Sequence, residues 1–125
     1  MITINQLTFN YDNASLLFDN LNLSIQEGSI IGLLGKNGAG KSSLLKLICG
    51  LVFPKSGECR TLDHFASKRL PTMLEQIYYV SEEFYLPKLT GDQYTRLYSQ
   101  YYRSFDHALL QSNLEEFNVP KNKLL

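Results

Sequence analysis

The residues with the clearest chemical purpose form one octapeptide, GKNGAGKS, running from Gly35 to Ser42 and matching the pattern G-x-x-x-x-G-K-[ST]. Drawn from the chain's own composition, such a match anywhere along it has a probability of about 0.004, so chance does not account for it. Gly35, Gly38 and Gly40 let the main chain take positive φ and come close to a ligand with no Cβ in the way. A loop of that kind turns successive N–H groups towards one point, which suits a polyphosphate anion. Lys41 is then placed to reach the β and γ phosphates, and the Ser42 hydroxyl to ligate Mg2+. The amides from about Gly38 to Ser43 supply the remaining donors, Ser43 mainly through its N–H, and the N-terminus of the following helix adds partial positive charge.

The motif is expected between a buried strand and a helix, and periodicity predicts both. Residues 29–34 (SIIGLL) read as a short, nearly all-apolar strand buried on both faces, entered from a turn at Gln26, Glu27 and Gly28. From Lys41 the run KSSLLKLIC sets Leu44, Leu45 and Ile48 on one helical face, and Gly50 followed by Pro54 supplies the stop. Upstream, Ile2 and Ile4, then Leu7, Phe9 and Tyr11, alternate with a slip near Asn5 and Gln6, the mark of a bulged strand. Leu21, Leu23 and Ile25 alternate again. Residues 58–62 predict a short strand and residues 77–80 (IYYV) a stronger one.

Thr90 and Gln93 fit a capping box that opens a helix. Along it Tyr94, Leu97, Tyr98, Tyr101, Tyr102 and Phe105 make an apolar stripe at helical period, expected to pack as an aromatic core. Only Arg96 and Arg103 accompany the stripe, too little charge for a platform that stacks nucleic-acid bases. A last helix is expected over residues 106–117, with Asp106, His107, Glu115 and Glu116 solvated. His64 has no companion cluster and reads as an ordinary surface or partly buried histidine.

The composition bounds the rest. With 125 residues, 44% of them hydrophobic, and 12 Lys+Arg against 12 Asp+Glu, the chain reads as one small globular domain. A net charge of +0 and a pI near 6.7 argue against nucleic-acid or acidic-membrane binding through a basic surface. No apolar run approaches the ~20 residues that span a bilayer, and the start, MITINQLTFNYD, lacks the regions of a signal peptide. A cytoplasmic location is therefore expected. Cys49 and Cys59 have neither metal-ligand spacing nor further partners, so they are expected to be reduced, structural thiols.

The aromatic at Tyr11, the run GKNGAGKSS, then LLKLICGLVFPKSGE, then IYYVSEEFYLPKLT make the chain similar to the N-terminal part of an ATP-binding cassette (ABC) transporter ATPase, over about residues 2–117. Asn37 and Ala39 inside the loop, and the spacing of Gly50, Pro54 and Gly57 beyond it, are more specific than the general phosphate-loop pattern. The resemblance implies an α/β fold of the P-loop NTPase (ABC ATPase) type. It would be incomplete: an N-terminal β subdomain, the Walker A strand, loop and helix, and the start of the helical subdomain. Residues 1–125 would be an ATP-binding domain that stops before the signature motif, with about 1–89 as nucleotide-binding core and about 90–125 as the start of the helical subdomain that docks on the membrane partner.

By the same resemblance Tyr11 matches the A-loop aromatic that stacks on adenine. Gly35, Lys36, Asn37, Gly38, Ala39, Gly40, Lys41, Ser42 and Ser43 match the Walker A loop that binds ATP, and Ser42 with Glu82 would ligate Mg2+. Glu82 stands where the family's Q-loop usually carries Gln, with Glu83 the alternative if the register slips by one. A carboxylate gives Mg2+ an oxygen at least as well as an amide does, but it donates no hydrogen bond, and its charge would repel a γ phosphate.

The family's hydrolytic motifs, namely LSGGQ, the Walker B Asp with its catalytic Glu, and the switch His, do not occur in the sequence. The chain is accordingly expected to be the front portion of a longer protein, to hold no catalytic residue and to be inactive alone. In the complete protein the resemblance implies a second ATPase subunit facing the first across ATP, transmembrane permease subunits on whose cytoplasmic face the pair sits, and hydrolysis that drives transport. An alternative of another class is a non-hydrolysing nucleotide-binding module or regulatory fragment. An in-frame continuation of the coding sequence to an LSGGQ-like run separates the two.

Magnitudes order the contributions to binding. Five charge-assisted amide bonds at ~1.5 kcal/mol sum to roughly 7 to 8 kcal/mol before ordering costs, whereas one base stacked on an aromatic adds about 1 to 3 kcal/mol. Phosphates therefore set affinity, and selectivity between bases is modest. In a competition titration GTP should displace ATP measurably; complete failure of GTP at millimolar concentration contradicts that ordering.

Overall fold

The computed structural model describes residues 1–12, 14–83 and 87–120. They divide between two units, Met1–Tyr79 and Val80–Leu125, each described by itself. Residues 84–86, just beyond the expected Q-loop position, and residues 121–125, the end of the expected helical portion, lie outside the described residues.

The first unit is built on a four-stranded sheet with the order β2-β1-β3-β4. The strands are β1 (Ile2–Phe9), β2 (Phe18–Ile25), β3 (Ser56–Thr61) and β4 (His64–Phe65), and every pairing is antiparallel. β1 is central because its alternation is the most apolar: Ile4, Leu7 and Phe9 are buried and pack with Cys59 of β3. The slip expected near Asn5 and Gln6 is present. Register shifts fall between Ile4 and Leu7 against β2 and between Asn5 and Thr8 against β3, with Gln6 at φ 47. The Gln6 N–H donates to Asn22 Oδ1 at 2.9 Å, which satisfies an amide that the bulge takes out of the ladder. Residues 58–62 were predicted as a strand, and β3 covers Ser56–Thr61.

Helix α1 (Lys41–Ile48) buries Ser43, Leu44, Leu47 and Ile48. The expected face of Leu44, Leu45 and Ile48 is corrected by one residue: Leu45 is 44% exposed and Leu47 takes its place. Positions i, i+3 and i+4 form the narrower stripe, and Leu45 lies about 100° round from Leu44. The helix stops at Gly50, φ +68, where Gly50 N–H donates to the Leu47 carbonyl at 3.1 Å and Leu51 N–H to the Lys46 carbonyl at 2.8 Å. That paired geometry satisfies the last carbonyls and requires a left-handed residue. Thr61 Oγ1 donates to the Ile48 carbonyl at 2.7 Å in a buried setting, tying the last turn of α1 to β3. Cys49 and Cys59 are free thiols. Burial pushes the Cys59 thiol up to about 11, and raises that of Cys49, so both are protonated at neutral pH. After β4 come a 3-10 turn (Ala66–Lys68) and the short α2 (Pro71–Leu74), whose Met73 is buried.

Two expected strands are absent among the described residues. Residues 29–34 form no strand, and Ile30 and Leu34 are 101% and 94% exposed. Residues 77–80 form none either, and Tyr78 and Val80 are exposed. Both runs are apolar enough for a strand covered on two faces, but a strand exists only with a neighbour to pair with, and the described sheet consists of β2, β1, β3 and β4 alone.

In the second unit α3 (Gly91–Tyr98) starts as expected. Gln93 N–H donates to Thr90 Oγ1 at 3.3 Å and Thr90 N–H to Gln93 Oε1 at 2.9 Å, a full capping box. It passes into a 3-10 turn (Ser99–Tyr101), so the helix ends before Phe105. The aromatic stripe is not a packed core: no residue of α3 is buried, and Leu97, Tyr98 and Tyr101 are exposed, although the Tyr94 and Tyr98 rings stack at 4.2 Å. An amphipathic face is buried only against a second apolar surface, and α4 (His107–Glu116) buries no residue either. Asp106 is more than a solvated acid, since it caps α4 by accepting from the Ala108 and Leu109 N–H groups at 2.8 and 2.9 Å.

Gly57 sits opposite the bulge at φ +76, and a Cβ there would lie 2.2 Å from the Gln6 carbonyl oxygen. Gly57→Ala should lower stability by more than about 1 kcal/mol, through clash and positive-φ strain together. Urea unfolding checks this, and an unchanged midpoint contradicts the tight packing of Gly57 on the bulge.

Candidate functional site

Residues 35–40 leave the exposed run 29–34 and turn into α1. Ala39 N–H donates to the Lys36 carbonyl at 3.1 Å, closing a turn, and Gly38 and Gly40 hold φ of +81 and +92. Gly40 is the N-cap of α1, no side chain caps that end, and no acid lies in the first turn. The first N–H groups of a helix have no partner within it, so this end offers donors and partial positive charge to an anion. The Lys41 ammonium crosses the loop and donates to the Gly35 carbonyl at 2.8 Å and the Lys36 carbonyl at 2.9 Å. Gly35, Lys36, Asn37, Gly38, Ala39 and Ser42 are exposed, and Lys41 is partly so.

Gly40 also answers to packing. A Cβ there would meet Phe18 Cζ at 2.8 Å and Leu17 Cγ at 3.1 Å, so the start of β2 presses on the junction of loop and helix. Sequence reasoning missed Phe18, because an aromatic at the head of an alternating strand carries no sign of what its ring touches.

Tyr11 lies at the same junction. Its ring meets buried Phe9 edge-on at 5.0 Å, its hydroxyl is 3.0 Å from Ser43 Oγ, and it remains 44% exposed. Two expected site residues from distant parts of the sequence are thereby brought together, and Ser43 engages its side chain where mainly its amide was expected to act. Glu82 and Glu83 are exposed residues of the second unit.

The arrangement is that of a phosphate-binding loop. Mg2+ bound along with phosphate oxygens and waters needs only one or two protein oxygens. The exposed Ser42 hydroxyl in the first turn of α1 fits that need, and among the described residues no group of three or more His, Cys, Asp or Glu offers a cage instead.

Comparison with known proteins agrees with the geometry. The family model described as ABC transporter matches residues 18–124, and the chain belongs to that family. It is 33% identical over 125 residues to the ABC transporter ATP-binding protein YtrB of Bacillus subtilis, covering 98% of this chain and 42% of YtrB. It is 39% identical over 75 residues to the energy-coupling factor transporter ATP-binding protein EcfA1 of Fusobacterium nucleatum, covering 60% of this chain and 28% of that protein. Among solved structures, the ATP-binding subunit of an ABC transporter superposes with a TM-score of 0.79 at 26% identity, over 95% of this chain and 51% of that one. A dimeric post-hydrolysis ATP-binding cassette bound to ADP and Pi superposes with a TM-score of 0.70 at 22% identity, over 93% of this chain and 55% of that one, a likeness of fold. The chain thus spans about half the length of these structures and less than half of these two curated relatives. Among the described residues no helix is long and apolar enough to cross a membrane.

Gly40→Ala tests the site directly, because it adds both the clash with Phe18 and the strain of φ +92. Affinity for Mg-ATP should fall at least about tenfold in calorimetry, the effect of losing one well-placed charge-assisted hydrogen bond. Wild-type affinity in this variant contradicts the assigned loop conformation.

Proposed function

We propose that this chain binds Mg-ATP through residues 35–43 and that, in the complete protein, it is the ATP-binding subunit of an ABC transporter, where hydrolysis of ATP drives transport. The observation that carries the reading is the uncapped N-terminus of α1 behind a loop whose Gly38 and Gly40 are left-handed. An ammonium resting on two neutral carbonyls gains by moving to anionic oxygens, since charge-assisted bonds are about twice as strong. Lys41 is therefore stored at the loop and released to the β and γ phosphates when ATP arrives.

The remaining roles follow from side-chain chemistry. The exposed Tyr11 ring stacks on adenine. Ser42 would hold Mg2+, with Glu82 as a further oxygen donor, and the ion would neutralise charge on the phosphates. Glu82 offers oxygens and no N–H, so it serves the metal rather than donating to the γ phosphate. Hydrolysis also needs a positioned water and charge stabilisation at the leaving oxygen, and residues 35–43 supply the cradle alone. Residues from about 90 onward begin a helical subdomain that faces permease subunits at the cytoplasmic face of the membrane, and a second ATPase subunit completes the assembly. The transporter names of YtrB and EcfA1 support a place in a transporter assembly.

The test measures ATP binding and turnover on this chain and on a version extended through the rest of its domain, each with and without Lys41→Ala. The expected outcome is weak binding and no turnover for the shorter form, turnover for the longer, and its loss on removing Lys41. Turnover that survives Lys41→Ala, or a longer form that binds no ATP, contradicts the proposal.

A further inference from the structure

Stacking on a base requires only an aromatic face, and a phenylalanine ring provides one as well as a tyrosine ring does. The Tyr11 hydroxyl has a different engagement, being 3.0 Å from Ser43 Oγ. Ser43 is 8% exposed and lies in the first turn of α1, directly after Lys41 and Ser42. The Tyr11 ring is set from behind by buried Phe9, edge-on at 5.0 Å. Phe9 in turn lies 6.4 Å from Phe18, whose ring closes on the position of Gly40. One aromatic group therefore touches the helix end at two points: through the hydroxyl of Tyr11 at Ser43, and through the ring of Phe18 at Gly40.

We propose that the Tyr11 hydroxyl is a positioning group for the phosphate loop, holding the Ser43 hydroxyl so that the first turn of α1 keeps the geometry that receives phosphate. This rests on the reading of residues 35–43 as the nucleotide site, and it adds a duty to Tyr11 that is independent of the base. A buried serine hydroxyl deprived of its partner turns to the carbonyl one helical turn earlier, a contact that bends helices and weakens them slightly. For Ser43 that carbonyl belongs to Ala39, inside the loop itself. With Tyr11 engaged, the Ser43 hydroxyl has a partner and does not compete for that carbonyl.

The deciding ligand is one with phosphates and no base. Mg-tripolyphosphate and Mg-ATP are titrated calorimetrically into the whole protein and into Tyr11→Phe, Ser43→Ala and the double variant, with melting temperatures as the check on folding. Tyr11→Phe keeps the ring, so a pure stacking role leaves both affinities unchanged. A positioning role lowers both by a similar factor, about three- to tenfold, the range expected for one hydrogen bond. In the Ser43→Ala background, Tyr11→Phe should then have no further effect. Wild-type affinity of Tyr11→Phe for tripolyphosphate overturns the proposal, whatever happens to ATP, and so do additive losses in the double variant. Failure of the unsubstituted protein to bind either ligand overturns the nucleotide reading itself, and this inference with it.

Discussion

The proposed site depends on one constraint: several main-chain N–H groups must face a single point at the start of a helix, with no side chain taking their place. Gly38 and Gly40 meet it by adopting positive φ, and α1 meets it by carrying neither a capping side chain nor an acid in its first turn. The same N-terminus that would be a defect in an ordinary helix, four donors without partners, becomes the reason for the loop. Lys41 limits the cost of waiting, since its ammonium bonds to the Gly35 and Lys36 carbonyls and steadies the turn from within.

Everything around the loop serves to keep that helix end in place. β1 supplies the central apolar row of Ile4, Leu7 and Phe9, on which Leu44, Leu47 and Ile48 of α1 rest. The far end of α1 is fixed twice, by the left-handed Gly50 and by the buried bond from Thr61 to Ile48. The near end is fixed by Phe18 against Gly40 and by Tyr11 against Ser43. A helix held at both ends on a sheet gives its first turn little freedom to tilt, which is the preorganisation that a polyphosphate site requires.

The loop and its helix were legible because glycine, lysine and serine at fixed spacing have few other uses. The bulge at Gln6, the stop at Gly50 and the capping box at Thr90 were equally plain, each being a local rule with a local sequence signal. What failed depended on partners distant in sequence. Residues 29–34 and 77–80 have the composition of buried strands, and composition says nothing about whether a neighbouring strand is present. The stripe from Tyr94 to Phe105 has the right period, yet period alone does not supply a surface to bury it. Leu45 and Leu47 were interchanged because both lie close to the apolar arc of so short a helix. Phe18 gave no signal at all, since its role is a contact with an atom that Gly40 lacks.

The central claim, that main-chain amides of residues 35–43 hold the phosphates, is tested most directly by following the backbone N–H resonances of the nitrogen-15-labelled protein as Mg-ATP is added. The account predicts that the largest shifts fall on Gly38, Gly40, Lys41, Ser42 and Ser43, and that Mg-tripolyphosphate reproduces most of them. Shifts concentrated elsewhere, with those five amides unmoved at saturation, would contradict it.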